Sequence, residues 1–228
     1  MRSILRKLRT MKGPLILTIT SLLFALPSQA APLSLFDGKT LDGWVQVPTN
    51  SWIVKDGVMA STGNGRGYIY TTKQFSHYRL TFTMRHVSGQ PDHQACVLIF
   101  CTPPPEGQKG LDALGGIQYQ PPNGGHWDYR PGHNNSGAGE FKSVPHAKFD
   151  AHEWSRVEIL VDAKTGTARM AVAQPVGSKA VEVLSFNEAT AGREGPIAWQ
   201  MHNRGLFDEY KDITLETDAA ENALITVK

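Results

Sequence analysis

The chain has 228 residues, with 23 basic and 21 acidic side chains, eight histidines and two cysteines. Its apparent basicity belongs to the N-terminus: five of the basic residues and none of the acidic ones fall within the first 30, so the remaining 198 carry 18 basic against 21 acidic side chains, a balance of −3. That balance excludes nucleic acid and anionic membrane surfaces as obvious partners, and 198 residues suit one domain with a substantial core.

Arg2, Arg6, Lys7, Arg9 and Lys12 precede an apolar stretch over 15–26, and Ser28-Gln29-Ala30 follows it. A basic start, an apolar middle and small residues at a cleavage site make a secretory signal, with Ala31 as the first mature residue. The apolar stretch falls short of the about 20 residues that a bilayer-spanning helix needs, so no membrane anchor is expected. The expected organisation is a signal peptide over 1–30 and one domain over 31–228, in a bacterial protein that is secreted or periplasmic.

Short runs rich in Thr, Val, Ile, Tyr and Phe, set off by Gly, Pro, Asn and Asp, predict strands at 68–72, 78–87, 95–101, 116–120, 154–162, 168–174, 181–186, 197–202 and 210–217. No stretch sustains a helical period, and 188–193 fits a single helical turn. The fold class is all-β, a sandwich or jelly roll. Cys96 and Cys101 bracket one predicted strand. Five residues of strand separate them by about 16 Å, beyond the about 7 Å that a disulfide tolerates between Cα atoms, so two unpaired thiols are expected. Two stretches read as loops, 102–111 and 121–148. The second holds His126, Trp127, Asp128, Tyr129, Arg130 and His133, and a loop of that length and content points to function.

Strand alternation sorts side chains by face. It groups His126, Asp128 and Arg130 opposite Trp127 and Tyr129. Likewise Gln118 and Gln120 oppose Ile117 and Tyr119, and Gln200 and His202 oppose Trp199 and Met201. Polar rows of Gln, His, Asp and Arg orient ligands and move protons. With aromatic rings nearby to cover the apolar face of a pyranose, they suit a sugar. The plainer reading of the same rows is a solvated sandwich face.

The mature part opens Leu35-Phe36-Asp37-Gly38-Lys39-Thr40-Leu41-Asp42-Gly43-Trp44, continues with Trp52-Ile53-Val54-Lys55-Asp56-Gly57, and nears its end with Gly195-Pro196-Ile197-Ala198-Trp199-Gln200-Met201-His202 and Tyr210-Lys211-Asp212-Ile213. In this order the motifs resemble the 3-keto-disaccharide hydrolase domain family across nearly all of the mature chain. The resemblance implies a concanavalin A-like jelly roll, export by bacteria, and cleavage of glycosides already oxidised to a ketone at sugar carbon 3. Three places depart from the family pattern. Gln94-Ala95-Cys96 stands near its Asn-Ser-Gly stretch, Gly116 stands where a Glu often precedes the Gln, and Lys211-Asp212 replaces its Arg-Asn pair.

A ketone at carbon 3 acidifies the hydrogen on carbon 2, so the chemistry needs a base and a group that stabilises the enolate oxygen. His202, placed by the family motif at a strand end, is the expected base. Asp128 is expected to orient it or act itself, and Arg130 or Lys211 to stabilise the enolate. Gln118, Gln120, Gln200, His126 and Trp127 are the expected sugar contacts, and an upstream sugar oxidoreductase is the expected source of the keto sugar. A divalent metal would also stabilise an enolate, but the histidine spacing matches no strong ligand signature, so a metal cofactor stays open.

The string Glu216-x-Asp218-x-x-Glu221 matches laminarinase-like glycosidases. It lies seven residues from the C-terminus, and is expected to be the solvated end of the last strand. Three functions stay open: a 3-keto-glycoside hydrolase or lyase, a lectin-like carbohydrate-binding domain, and a glycosidase on unoxidised glucan.

Overall fold

A computed structural model describes residues 31–90, 96–102, 114–137, 139–217 and 219. The leader, nearly all of the predicted loop over 102–111, and Asp218 and Glu221 of the acidic string lie outside the described residues. In chain order the strands are β1 (Leu33–Ser34), β2 (Trp44–Val47), β3 (Trp52–Lys55), β4 (Val58–Ser61), β5 (Gly67–Thr71), β6 (His77–Ser88), β7 (Cys96–Ile99), β8 (Ile117–Gln120), β9 (Gly125–Asp128), β10 (Phe141–Ser143), β11 (Ser155–Asp162), β12 (Thr167–Ala173), β13 (Val181–Asn187), β14 (Ala198–Met201) and β15 (Phe207–Thr217). One sheet runs β10-β13-β12-β11-β6-β15-β4-β3, with β1 added beside β15, and the other runs β2-β5-β14-β7-β8-β9. The result is an all-β jelly-roll sandwich of two antiparallel sheets.

Each predicted strand has its counterpart within a few residues, except that Ala95 lies outside the described residues. The predicted helical turn is a 3-10 turn over Ala189–Ala191. The predicted loop over 121–148 contains β9 and β10. Strands β2, β3 and β4 are four residues each, too short for alternation to stand out. The last two form a hairpin on a two-residue turn, Asp56-Gly57, in which both residues have positive φ (50° and 78°). That is the backbone a tight hairpin turn requires, and Asp-Gly supplies it at low cost.

The sheets meet over one aromatic-rich core. Trp199 on β14 contacts Trp44 at 5.1 Å between ring centroids, Phe82 at 5.5 Å and Tyr210 at 5.6 Å, and Tyr210 contacts Trp52 at 5.6 Å. All except Trp44 are at most 1% exposed, so truncating any of them to alanine would cost about 3–5 kcal/mol. Cys96 and Cys101 are both buried and form no disulfide, and desolvation raises the Cys101 thiol well above its ordinary range.

Register decides which residues face away from this core in the six-stranded sheet. Ile69, Val97, Ile117, Tyr119 and Trp199 point inward into the main cluster. Their neighbours therefore point outward: Tyr68 and Tyr70 on β5, Ala198 and Gln200 on β14, Leu98 on β7, and Gln118 and Gln120 on β8. Gln118 pairs with Trp127 across β8 and β9, which puts Trp127 on this outer face too.

Candidate functional site

The outer face of the six-stranded sheet carries a groove of about 730 Å³. Arg66, Gln118, Gln120, His126, Trp127, Tyr129 and His202 line it, along with Gly124, Gly125, Asn134 and Ser136. The strands supply its floor and the segment after β9 one wall. That segment folds back on its own strand: Asp128 N donates to Asn135 O at 2.6 Å, Asn135 N returns a bond to Asp128 O at 3.2 Å, and Trp127 Nε1 donates to Asn134 Oδ1 at 3.3 Å.

A file of amides runs through the floor. Gln118 and Gln200 are each 1% exposed, and a buried amide costs free energy unless it is hydrogen-bonded. Gln120 Nε2 donates to Gln118 Oε1 at 2.7 Å, Gln118 Nε2 donates to Gln200 Oε1, and Gln200 Nε2 donates to the Tyr129 hydroxyl at 3.5 Å. The Gln118–Gln200 bond passes over β7, which lies between their strands.

His202 follows β14 directly. Its carbonyl oxygen accepts a bond from Arg66 Nε at 2.8 Å, which ties the strand end to the segment before β5. Three nearby glycines fit that tie. Gly205 N donates to Gly63 O at 2.8 Å, and a Cβ on Gly67 would stand 2.3 Å from the carbonyl oxygen of Val47. His126 stacks on Phe141 at 4.1 Å and borders the groove from its edge.

Several expected site residues are elsewhere. Asp128 and Arg130 do not share a face with the glutamines. Asp128 pairs with Ile117, a core residue, so its side chain points between the sheets, where it is fully buried. There Arg130 grips it through Nε (3.1 Å to both carboxylate oxygens) and Nη2 (2.7 Å) and also holds Glu188, while His133 Nδ1 lies 3.1 Å from Asp128. Hydrogen bonding to Asp128, and then to Glu188, keeps the Arg130 guanidinium charged well beyond its ordinary range. Alternation along 126–130 gives the relative faces correctly, but Asp128 and Arg130 lie inside and Trp127 and Tyr129 on the groove side.

Lys211 is on the other sheet. Its ammonium lies 4.4 Å from the centre of the Trp154 ring, which also carries Arg85 at 4.7 Å. A register shift between Lys211 and Thr214 and a left-handed Asp212 (φ 53°) interrupt the regular pairing at this point, and it resumes at Thr214. Glu216 is not simply solvated, since Arg79 Nε donates to its Oε2 at 3.1 Å.

Arg66, Tyr129, Asn134 and Ser136 line the groove without having been singled out as site residues. For Tyr129 the missing signal was the β8–β9 register, which carries Trp127 and its i+2 neighbour to the Gln118 side. Arg66, between two glycines and outside any family motif, offered none. Among the described residues, no three His, Cys, Asp or Glu side chains are grouped closely enough to hold a metal ion. No helix among the described residues is long and apolar enough to cross a membrane.

Comparison with solved structures finds the same fold in sugar-related proteins. A candidate glycosyl hydrolase from Parabacteroides distasonis ATCC 8503 aligns at 15% identity and TM-score 0.57, over 82% of this chain and 93% of that one. The carbohydrate-binding module CBM66 from Bacillus subtilis aligns at 10% identity and TM-score 0.53, over 77% and 96%. The exoplasmic/lumenal domain of VIP36, in its Ca2+/Man3GlcNAc-bound form, aligns at 10% identity and TM-score 0.55, over 79% and 86%. At these identities the likeness is one of fold. No curated protein matches the sequence. A family model matches residues 31–216, and the chain accordingly belongs to the family described as the 3-keto-alpha-glucoside-1,2-lyase-like domain, the 3-keto-disaccharide hydrolase family that its motifs resemble.

Proposed function

We propose that the chain is exported by its leader and cleaves 3-keto-glycosides in the groove of the six-stranded sheet. One observation carries this reading: the chargeable side chains among the described lining residues are Arg66, His126 and His202, and none is a carboxylate. Hydrolysis of an unoxidised glycoside by the usual route needs two carboxyl groups, about 5–5.5 Å or 6.5–9.5 Å apart. A 3-keto-glycoside needs one base and a stabilised oxyanion.

In this mechanism His202 takes the C2 hydrogen as a proton. The C–H electron pair becomes a C2–C3 double bond, and the carbonyl pair moves onto the C3 oxygen. When that pair returns, the C2 pair forms a C1–C2 double bond and the C1–O bond breaks with its electrons on the departing oxygen, which takes back the proton from the imidazolium. Water added across the C1–C2 double bond would complete a net hydrolysis. Arg66, rather than Arg130 or Lys211, supplies positive charge where the enolate forms. Gln118 and Gln120 hold ring hydroxyls, Gln200 stands behind the lining with its amide bonded to Gln118 and Tyr129, and Trp127 covers the apolar sugar face. The keto sugar must come from an oxidoreductase acting on carbon 3.

The same lack of carboxylates among the described lining residues would suit a groove that only binds sugar, and one assay separates the readings. Turnover of a 3-keto-glucoside, but not of the parent glucoside, is expected, with loss of turnover in His202→Ala. Saturable glycan binding that tolerates His202→Ala, is lost in Trp127→Ala and comes with no turnover would replace the enzyme by a binding domain.

A further inference from the structure

We propose that Tyr129 is the catalytic hydrogen-bond donor to the ketone oxygen, with its hydroxyl proton aimed into the groove by the three glutamine amides behind it. The inference rests on the keto-sugar reading above and assigns that reaction a residue that no motif supplies.

The amide chain runs in one sense. Each link donates toward Tyr129: Gln120 to Gln118, Gln118 to Gln200, and Gln200 Nε2 to the phenol oxygen at 3.5 Å. A phenol has one proton, and an oxygen that accepts on one side turns that proton to another. The ring is anchored, because Tyr129 packs on the outer cluster of Tyr68, Leu98, Cys101, Leu114 and Ala198, while the residue as a whole also lines the groove. Its backbone is held as well, with Tyr129 N donating to Gly116 O at 2.8 Å. Body and tip are therefore fixed separately, the body by packing and the tip by the amides.

Such a donor suits an oxygen that gains charge during the reaction. It is oriented before the charge appears, so it needs no reorganisation in the transition state. Donors in a chain polarise one another, which strengthens the last one. Tyr129 stays protonated throughout. It donates to the C3 oxygen while His202 removes the C2 proton, and the electron balance is that of the mechanism above. This accounts for two buried glutamines on a strand face where apolar or small hydroxyl side chains would be simpler to accommodate: they orient the phenol.

The test follows turnover of a 3-keto-glucoside together with exchange of its C2 hydrogen in D2O. Tyr129→Phe is expected to lower kcat by about 10²–10³-fold, the size of a lost oxyanion donor, with KM nearly unchanged and C2 exchange slowed in parallel. Gln200→Met, which keeps side-chain length but removes the directing N–H, is expected to fall between wild type and Tyr129→Phe. Both variants should bind the unoxidised glucoside as wild type does. Wild-type exchange with Tyr129→Phe equally fast overturns the role of Tyr129 and leaves the keto-sugar reading standing. A loss in Tyr129→Phe carried entirely by KM, with weaker binding of the unoxidised sugar, also overturns it. Absence of both turnover and exchange in the wild-type protein defeats the keto-sugar reading and this inference together.

Discussion

Asp128 and Arg130 show why residue chemistry alone does not say which face of a strand a side chain takes. A charged pair beside a Trp and a Tyr looks like a ligand-facing row, because buried charge is rare. Alternation says only which residues oppose each other, and the core side was assigned by polarity. The pairing of Asp128 with Ile117 reverses that assignment, and the burial is tolerated because Arg130 spends its fork on the carboxylate. Asp128 also accepts the Arg130 backbone N–H at 2.9 Å, so it holds the turn that carries Tyr129. Its role is therefore structural positioning. Breaking a buried pair from one side costs about 3–5 kcal/mol, and Glu188 remains to Arg130, so Asp128→Ala should lose near the lower end, about 3 kcal/mol. The urea midpoint measures this. A variant that keeps its stability but loses turnover would return Asp128 to the list of catalytic groups.

At the scale of elements, the motifs that mark the family are largely motifs of construction, and that is why they are legible. In the opening motif, Asp37 accepts the backbone N–H groups of Lys39 and Thr40 at 2.8 Å each, and Trp44 Nε1 donates to Leu35 O at 2.7 Å, which closes the segment onto itself. In the closing motif, Gly195 bridges to Phe75 through bonds of 2.9 and 3.1 Å, and a Cβ there would lie 1.9 Å from the carbonyl oxygen of Cys101. Backbone cannot rotate aside as a side chain can, so Gly195→Ala should cost about 3 kcal/mol, the upper end of ordinary overpacking. A thermal melt on the purified variant checks this, and an unchanged midpoint would show that the backbone around Gly195 yields without cost. Long central strands such as β6 and β11 are legible because they alternate: Tyr78, Leu80, Phe82 and Met84, like Val157, Ile159 and Val161, face the core, and Arg79, Thr81, Thr83 and Arg85, like Arg156 and Glu158, take the other face. The four-residue strands and β10 are defined by their partners, and a single sequence does not name partners. The groove is legible only in part for the same reason. His202 lies in a motif, whereas Gln200 meets Tyr129 through pairings across three strands.

The sandwich as a whole has one side where the edge strand β9 of one sheet approaches β13 and β10 of the other, and the Asp128–Arg130–Glu188 cluster fastens it there. His126 stacked on Phe141 adds an apolar clasp between the same edges. Because the groove's wall hangs from β9, this closure couples global stability to the shape of the site. It also gives the stability a predictable dependence on acid. Hydrogen bonding from Arg130, and then from Thr190, holds the Glu188 carboxyl below its usual 4.5, and the backbone N–H groups of Thr40 and Lys39 hold Asp37 below its usual 3.8. A carboxylate whose pKa is lower in the folded than in the unfolded chain binds fewer protons when folded. Its contribution is therefore complete above its unfolded pKa and is lost as pH falls through that value toward the folded one. Stability should thus hold from neutral pH down to about pH 5 and then decline through pH 4 and 3. Glu188→Gln removes the carboxylate of the closure from this proton uptake. It should be less stable than wild type at pH 7 and should lose less on going from pH 7 to pH 3, so that the two denaturation curves converge in acid. Parallel curves across that range would show that the cluster does not govern the acid response, and that the closure between the two edges rests on the stacked rings and the core behind them.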